Sequence, residues 1–395
     1  MEKKGVNRRN FLRISATAGA GALLIPGAAA STLNKTETAK KTAFPMRTLG
    51  RTGIKLPILS MGVMRADNPN IVRAAYNSGL IHFDTAHGYG RGMNETMLGN
   101  FFKDKPRDSF ILATKCKPEW PLSDNFEKEY TDMFDLSLQR LQMKQVDWLY
   151  VHDLNDPAQV KNERLINVIK KFKADGKTKF LALSMHANNP KVIDAAVEAG
   201  VYDIILLSYN FKLNNLKELD PTIERAAKAG IGFVAMKTMT GGREDAEGNK
   251  KVNAQACLKW AWQNEHIATI IPGFTNFDEL DECLAAVGNT TLSGGEKEYL
   301  AALCNEEGLY CQQCGICLDQ CPEKLPVPDL MRAYMYAYGY KYAQLSKETL
   351  EELNLPENVC TNCDTCKIKC PSGFNVGRKI AAIAPVRNIP TEFLS

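Results

Sequence analysis

Glu163-Arg164-Leu165-Ile166-Asn167-Val168-Ile169-Lys170-Lys171-Phe172-Lys173-Ala174, then Gly176, then Lys179-Phe180-Leu181-Ala182-Leu183-Ser184, contains two different periodicities within 22 residues. Leu165, Val168, Ile169 and Phe172 recur at the 3-4 spacing of one helix face, and Gly176 stands just past the end, where a left-handed residue closes a helix. The second run is short and apolar, as a buried strand is. The same alternation extends in both directions. Strands are expected over 56–62, 81–86, 110–115, 147–152, 179–184, 203–209, 232–237 and 269–273, with further helices over 191–199, 223–229 and 254–265, and with Gly79, Gly200 and Gly230 as helix stops. Eight such units over about 230 residues predict an α/β fold, a (β/α)8 barrel rather than an open sheet. Met46 to Lys55 reads as a hairpin turning at Gly50 to Gly53. An open dinucleotide-binding sheet would need a glycine fingerprint after an early strand. Gly88-Tyr89-Gly90-Arg91-Gly92-Met93 places Met93 where the last glycine belongs, so that reading is rejected.

The chain has 395 residues, with 49 Lys and Arg against 45 Asp and Glu. Residues 1–30 hold five of the bases and one of the acids, so the remainder is balanced at 44 of each. The excess positive charge belongs to a detachable segment, which argues against nucleic acid as a partner. In that segment Asn7-Arg8-Arg9-Asn10-Phe11-Leu12-Arg13 precedes a weakly apolar, Ala- and Gly-rich stretch ending in Ala28-Ala29-Ala30. A twin-arginine pair, a leader too short and glycine-rich to span a bilayer, and a small-residue cleavage site together read as an export signal over 1–30. Residues 31–44 read as a linker. The expected location is the periplasm or cell exterior, with the twin-arginine export machinery as a partner.

In a parallel barrel, chemistry sits where the strands end. Asp84 closes the second expected strand and Tyr89 follows it. Lys115 closes the third and His152 the fourth. Each has an ordinary structural reading alone, but four on three consecutive strands at one face point to proton transfer with a carbonyl. A lysine cation beside a tyrosine favours the phenolate and lowers its pKa, an aspartate fixes the lysine, and a histidine polarises the carbonyl oxygen.

Residues 45–290 resemble the aldo/keto reductase family. The resemblance is carried by Gly79-Leu80-Ile81-His82-Phe83-Asp84-Thr85-Ala86-His87-Gly88-Tyr89-Gly90 with Asn94-Glu95 and Leu98-Gly99, by Ala113-Thr114-Lys115, and by Leu149-Tyr150-Val151-His152. It implies NAD(P)-dependent interconversion of a carbonyl and an alcohol on a small-molecule substrate. Tyr89 would be the acid, Lys115 and Asp84 would tune it, and His152 would orient the substrate. It also implies cofactor contacts from Ser184 to the nicotinamide carboxamide, from Met236 where many members stack a tyrosine, and from Gly273 and Asn276, whose neighbouring helix amides could hold a pyrophosphate. Met185 and Leu206 replace the family's Asn and Gln, and Glu279 falls near its adenosine-phosphate Arg, which leaves NAD and NADP both open. His82 is expected to be structural. His87, His186 and Trp120 are candidates for a substrate pocket, and Cys116, Cys257, Cys283 and Cys304 are expected as free thiols.

Asn289 to Gly295 is polar and glycine-rich and is expected to end the barrel, leaving 296–395 as a second, mostly helical ferredoxin-like domain. It contains Cys311-x2-Cys314-x2-Cys317-x3-Cys321-Pro322 and Cys360-x2-Cys363-x2-Cys366-x3-Cys370-Pro371. In each such run three cysteines hold one [4Fe–4S] cluster and the fourth ligates the other. Cys311, Cys314, Cys317 and Cys370 are therefore expected on one cluster, and Cys360, Cys363, Cys366 and Cys321 on the second. Four-cysteine zinc sites need only two CxxC pairs, so the third cysteine and the Cys-Pro in both runs favour iron. The 38 residues between the runs, rich in tyrosine, are read as helical with no assigned role.

Two function classes follow. One is an exported oxidoreductase acting on a small polar, sugar-like carbonyl or alcohol, with clusters that carry electrons to a redox partner protein or stabilise the fold. The other is an iron–sulfur electron-transfer or binding protein with a disused barrel. Because nicotinamide nucleotides are not supplied outside the cytoplasm, the first class requires a nucleotide exported already bound.

Overall fold

The structure is a computed structural model that describes residues 44–394 except 247, 305, 307–308, 354, 357–358 and 361–365. The leader, nearly all of the linker, and Cys363 lie outside the described residues.

Among the described residues ten strands form two sheets. β1 (Met46–Thr48) and β2 (Lys55–Pro57) make an antiparallel hairpin, with Met46 opposite Pro57. β3 (Met61–Gly62), β4 (His82–Asp84), β5 (Ile111–Cys116), β6 (Val146–Val151), β7 (Thr178–Met185), β8 (Ile204–Ser208), β9 (Gly232–Met236) and β10 (Ile267–Ile270) form one parallel sheet in chain order. The first expected strand is thus two. Its first half pairs with β1 at the foot of the barrel, and only its second half enters the barrel wall.

The sheet closes between its first and last strands. Ser60 N–H donates to Ile270 O at 2.9 Å, Ile270 N–H to Ile58 O at 3.0 Å, and Gly62 N–H to Pro272 O at 3.0 Å. A Cβ on Gly62 would stand 2.7 Å from Ile271 O, so this seam needs a glycine. Eight helices form the outer ring: Pro69–Ser78, Met93–Phe102, Phe126–Leu141, Glu163–Ala174, Asn189–Ala199, Leu216–Lys228, Ala254–Trp262 and Phe277–Val287. Their apolar faces and the outward side chains of the strands make the larger core layer.

The barrel interior is filled from below by the hairpin. Leu49 and Leu56 pack with Trp148, Ile204, Leu206 and Val234, and all are fully buried. Gly50, at φ +49, seats the turn against the barrel foot, where a Cβ would come within 2.3 Å of Gly232 N. Arg47 holds the hairpin by donating to Trp262 O, Asn264 O and Ile267 O at 2.7, 2.9 and 2.7 Å.

Beyond the ring, Gly294–Cys304 lies on the barrel shell, with Leu300 in a core shared with Phe211 and Cys257 and Lys259 paired to Glu296 at 2.8 Å. Val327–Tyr334, Ala343–Glu351 and Val376–Ile383 then surround a separate core that contains Cys321 and packs against Cys311, Cys317, Cys360 and Cys370. This region is seated on the barrel through loops at the strand ends. Asn210 Nδ2 donates to Gln312 Oε1 at 2.7 Å, Gln312 Nε2 to Thr240 O at 3.0 Å, and Tyr310 O–H to Glu244 O at 3.0 Å.

Leu49→Ala leaves a void between the hairpin and the barrel interior and should lower stability by about 3 kcal/mol, as large-to-small core changes do. Leu136→Ala, on an exposed helix position, should stay within about 0.5 kcal/mol of the parent. Denaturant midpoints compare the two, and equal midpoints would show that the hairpin does not plug the barrel.

Candidate active site

The parallel register delivers four ionisable side chains to one end of the barrel. Asp84 ends β4, Lys115 stands one residue before the end of β5, and His152 follows β6. Tyr89 opens the 3-10 turn Tyr89–Gly92 after β4. Lys115 is 2% exposed, ion-paired to Asp84, and donates to Thr85 O at 2.7 Å. Its ammonium lies 5.0 Å from the centre of the Tyr89 ring and 5.6 Å from that of Tyr150. The Tyr89 and His152 rings meet edge to face, at 6.1 Å and 84°.

Burial governs the protonation of these groups. It moves the Asp84 carboxyl up and the Lys115 ammonium down, and each is the strongest charge opposing that shift in the other. Burial, with Lys115 nearby, holds the His152 imidazole down to about 3, so it is neutral around neutral pH. The Tyr89 phenol is raised well above its usual value by burial, then by Asp84, Tyr340 and Asp153. This corrects the expectation that Lys115 would lower it. The lysine charge is matched by Asp84 and faces the ring, while the carboxylates near Tyr89 oppose a phenolate. The Tyr89 phenol is therefore protonated around neutral pH.

These residues open into a cavity of about 940 Å³. Ser184, Leu206, Met236 and Gly273 line its barrel side, with His87, His186 and Trp120. His82 lies inside the barrel against Trp148, with ring centres 4.7 Å apart, away from the cavity lining. The opposite wall comes from the C-terminal region, through Asp329, Arg332, Tyr336 and Tyr340. Arg332 is 7% exposed and pairs with Asp153 at 3.3 Å and Asp329 at 2.8 Å. Burial works against charge on Asp153, but the surrounding groups, Arg332 foremost, outweigh it and hold the carboxyl well below the usual range. The guanidinium of Arg65 lies 5.0 Å from the Tyr340 ring centre. Arg91 with Glu348 and Lys117 with Glu352 close the rim at 2.8 and 2.7 Å.

Sequence reasoning did not anticipate this wall. A signal for it existed: Arg332, Tyr336 and Tyr340 follow one another every four residues, the spacing of one helical face.

The nucleotide positions divide into two groups. Ser184 is buried, its Oγ accepting from Asp153 N–H at 3.1 Å, and it reaches the cavity with Met236 and Gly273. Ser184, Met236 and Gly273 thus line the same cavity as Tyr89. Asn276 is exposed and lies off the cavity lining, where its Oδ1 caps its own helix by accepting from Glu279 N–H at 2.9 Å. Glu279 in turn accepts from Thr275 N–H at 2.7 Å and pairs with Arg243 at 3.4 Å. The Glu279 carboxylate thus stands at the same helix start as Asn276.

Four cysteines form a second constellation. Cys311, Cys314 and Cys317 of the first run and Cys370 of the second line a small cavity of about 20 Å³ with Val327, Met331 and Phe374. Cysteines of both runs thus line one cavity. Burial pushes the Cys311 and Cys317 thiols up to about 12 and about 11, so thiolates there need a facing positive charge, which iron supplies. Cys321 is buried in the core against which Cys360 packs. Cys116, Cys257 and Cys283 are buried free thiols, and Cys304 is an exposed one.

The profile of the aldo/keto reductase family matches residues 55–253, and that of a 4Fe-4S dicluster domain matches residues 310–375. L-galactose dehydrogenase of Arabidopsis thaliana is 26% identical over 300 residues, covering 66% of this chain and 93% of its own length. L-glyceraldehyde 3-phosphate reductase of Escherichia coli (strain K12) is 24% identical over 317 residues, covering 63% and 89%. The holo form of aldo-keto reductase AKR11C1 from Bacillus halodurans shares the fold, with a TM-score of 0.54 at 20% identity, over 66% of this chain and 96% of that one.

Arg332→Ala leaves Asp153 buried without its main counter-charge and should cost about 3–5 kcal/mol. Adding Asp153→Asn should recover much of that loss. Unfolding midpoints of the single and double variants measure the coupling, and an unchanged midpoint in Arg332→Ala would show that the pair does not hold the wall.

Proposed function

The chain belongs to the aldo/keto reductase family, and from that premise we propose that it interconverts a carbonyl and an alcohol on a small polar, sugar-like substrate in the mouth of its barrel. The observation that carries this reading is the convergence of Tyr89, the Lys115–Asp84 pair and His152 on one cavity that also holds Ser184 and Met236. A bound nicotinamide supplies or accepts the hydride at the substrate carbon. Ser184 and Met236 would hold its ring end. Tyr89 gives its phenolic proton to the substrate oxygen as charge builds there, or takes it back in the oxidative direction. Neutral His152 offers a hydrogen bond to the same oxygen. Lys115, fixed by Asp84, stands against the Tyr89 ring and holds its position. The mixture of Trp120, Tyr336 and Tyr340 with Arg332, Asp153 and His186 in the cavity wall suits a hydroxylated substrate, in keeping with the sugar and triose names of two relatives.

The dicluster domain carries two [4Fe–4S] clusters in this reading, one on Cys311, Cys314, Cys317 and Cys370 and the other on Cys360, Cys363, Cys366 and Cys321. The leader directs export of the folded, cluster-loaded protein by the twin-arginine route to the periplasm or cell exterior. The nucleotide then travels bound and is recycled in place by a second substrate of opposite redox direction. Glu279 at the helix start where a phosphate would lie favours the second reading, an electron-transfer protein with a disused barrel.

Two measurements separate these. Tyr89→Phe should lose carbonyl reduction by at least about 10²-fold while keeping its melting transition, and full activity would remove Tyr89 from the role. Chain recovered from its own cells should fractionate with the periplasm and release close to one nicotinamide nucleotide per chain on denaturation. Recovery in the cytoplasm would overturn export, and a nucleotide-free chain with no affinity for either nucleotide would favour the electron-transfer reading.

A further inference from the structure

Lys237 follows β9 at the place where the cavity wall meets the cysteine basket. Its backbone is left-handed, at φ +55, and it lines the cavity beside Met236 and Thr238. On the other side its Nζ donates to Gln313 Oε1 at 3.2 Å, and Gln313 N–H donates to Cys311 Sγ at 3.3 Å. Two hydrogen-bonded steps thus join the ammonium to a cluster sulfur. Gln313 is itself 5% exposed and anchored by Nε2 to Pro328 O at 3.3 Å.

The charges around Lys237 come from the barrel and from the helix above it. Arg332 repels it, and Asp153, Asp329 and Cys311 attract it. Both carboxylates are already engaged by Arg332, and Asp153 also by Lys117 at 3.7 Å. Among the described residues Lys237 forms no ion pair with a carboxylate; its hydrogen-bond partner is the neutral Gln313. Burial pushes the ammonium down to about 7. A buried cation and a buried anionic sulfur cage are each unfavourable alone and mutually stabilising when they face one another. An iron–sulfur cube on four thiolates carries net negative charge that grows on reduction, and nearby charge and hydrogen bonds to sulfur set its potential.

We propose that Lys237 is the counter-cation of the cluster held by Cys311, Cys314, Cys317 and Cys370, placed through Gln313, so that this cluster and the substrate cavity share one charged residue. A group that binds in the cavity against Lys237 then shifts the cluster potential, and reduction of the cluster shifts the affinity of that group by the same factor. The inference rests on the cluster part of the proposed function and is independent of its carbonyl chemistry.

The test is a redox titration of the anaerobically isolated holoprotein followed by electron paramagnetic resonance. Wild type, Lys237→Met, Lys237→Arg and Tyr89→Phe are compared, each with its iron content measured. In Lys237→Met one cluster signal should become harder to reduce by about tenfold in its equilibrium, which is about 59 mV for a one-electron couple. The other signal should stay in place. Lys237→Arg should recover most of the shift, and Tyr89→Phe should show none. Both signals unmoved in Lys237→Met, or both moved equally, would overturn the proposal. If Lys237→Met fails to retain iron, Lys237→Gln is judged by the same criterion. Wild type without iron would instead remove the cluster reading beneath it.

Discussion

The closure of the parallel sheet, where residues 58–62 bond to Ile270 and Pro272, is the constraint on which every functional feature depends. A parallel register raises all eight strand ends to the same face, and closure brings the first and last of them to one mouth. Asp84, Lys115 and His152 come from adjacent strands that run in phase, with Asp84 paired in register to Ala113 and Lys115 to Tyr150. The Lys115–Asp84 pair is nearly inaccessible to water. Such a pair contributes little net stability, because desolvation offsets most of the attraction. What it supplies is a fixed cation beneath the Tyr89 ring, held where no solvent ion can replace it.

The same logic operates on the far side of the cavity with the elements reversed. Asp153, in a left-handed conformation after β6, presents its carboxylate to Arg332 from the C-terminal helix. Asp153 is the chain neighbour of His152. Seating of the C-terminal region therefore bears on the position of His152, and the roof and the four strand-end residues are packed as one assembly. The neutral state of His152 follows from that enclosure, since a third positive charge beside Lys115 and Arg332 would be costly in so buried a place.

Most of the fold was legible because it rests on local periodicity. The run 163–184 shows a helix, a stop and a strand, and the structure forms Glu163–Ala174 and Thr178–Met185 there. The one divided strand, 56–62, could not be separated by pattern, because both halves are apolar and the division depends on where β1 pairs. The convergence of Asp84, Tyr89, Lys115 and His152 could be read because strand ends in this architecture meet at one mouth. Two further properties lay beyond the sequence. The raised Tyr89 phenol depends on burial and on Asp153 and Tyr340, brought in from 64 and 251 residues away. The position of the tyrosine-rich stretch over the mouth depends on tertiary docking. Its four-residue spacing marks a helical face but does not say what that face covers.

The docking itself leaves little room for independent parts. A Cβ on Gly241 would meet Met335 Sδ at 2.6 Å, and one on Gly242 would meet Tyr310 Cε2 at 2.7 Å. Tyr310 stands immediately before Cys311, and Met335 continues the helix that carries Arg332. The strand-end loop of the barrel, the start of the first cysteine run and the cavity roof are thus in contact at a single place. Binding of metal to cysteines that are scattered in the unfolded chain is itself folding free energy. Whatever fixes Cys311 and Cys370 in one basket therefore also fixes Tyr310 against Gly242, and through the helix from Val327 it fixes Arg332 against Asp153. The iron–sulfur region thereby forms one side of the active cavity, and the geometry of that cavity depends on the basket being formed.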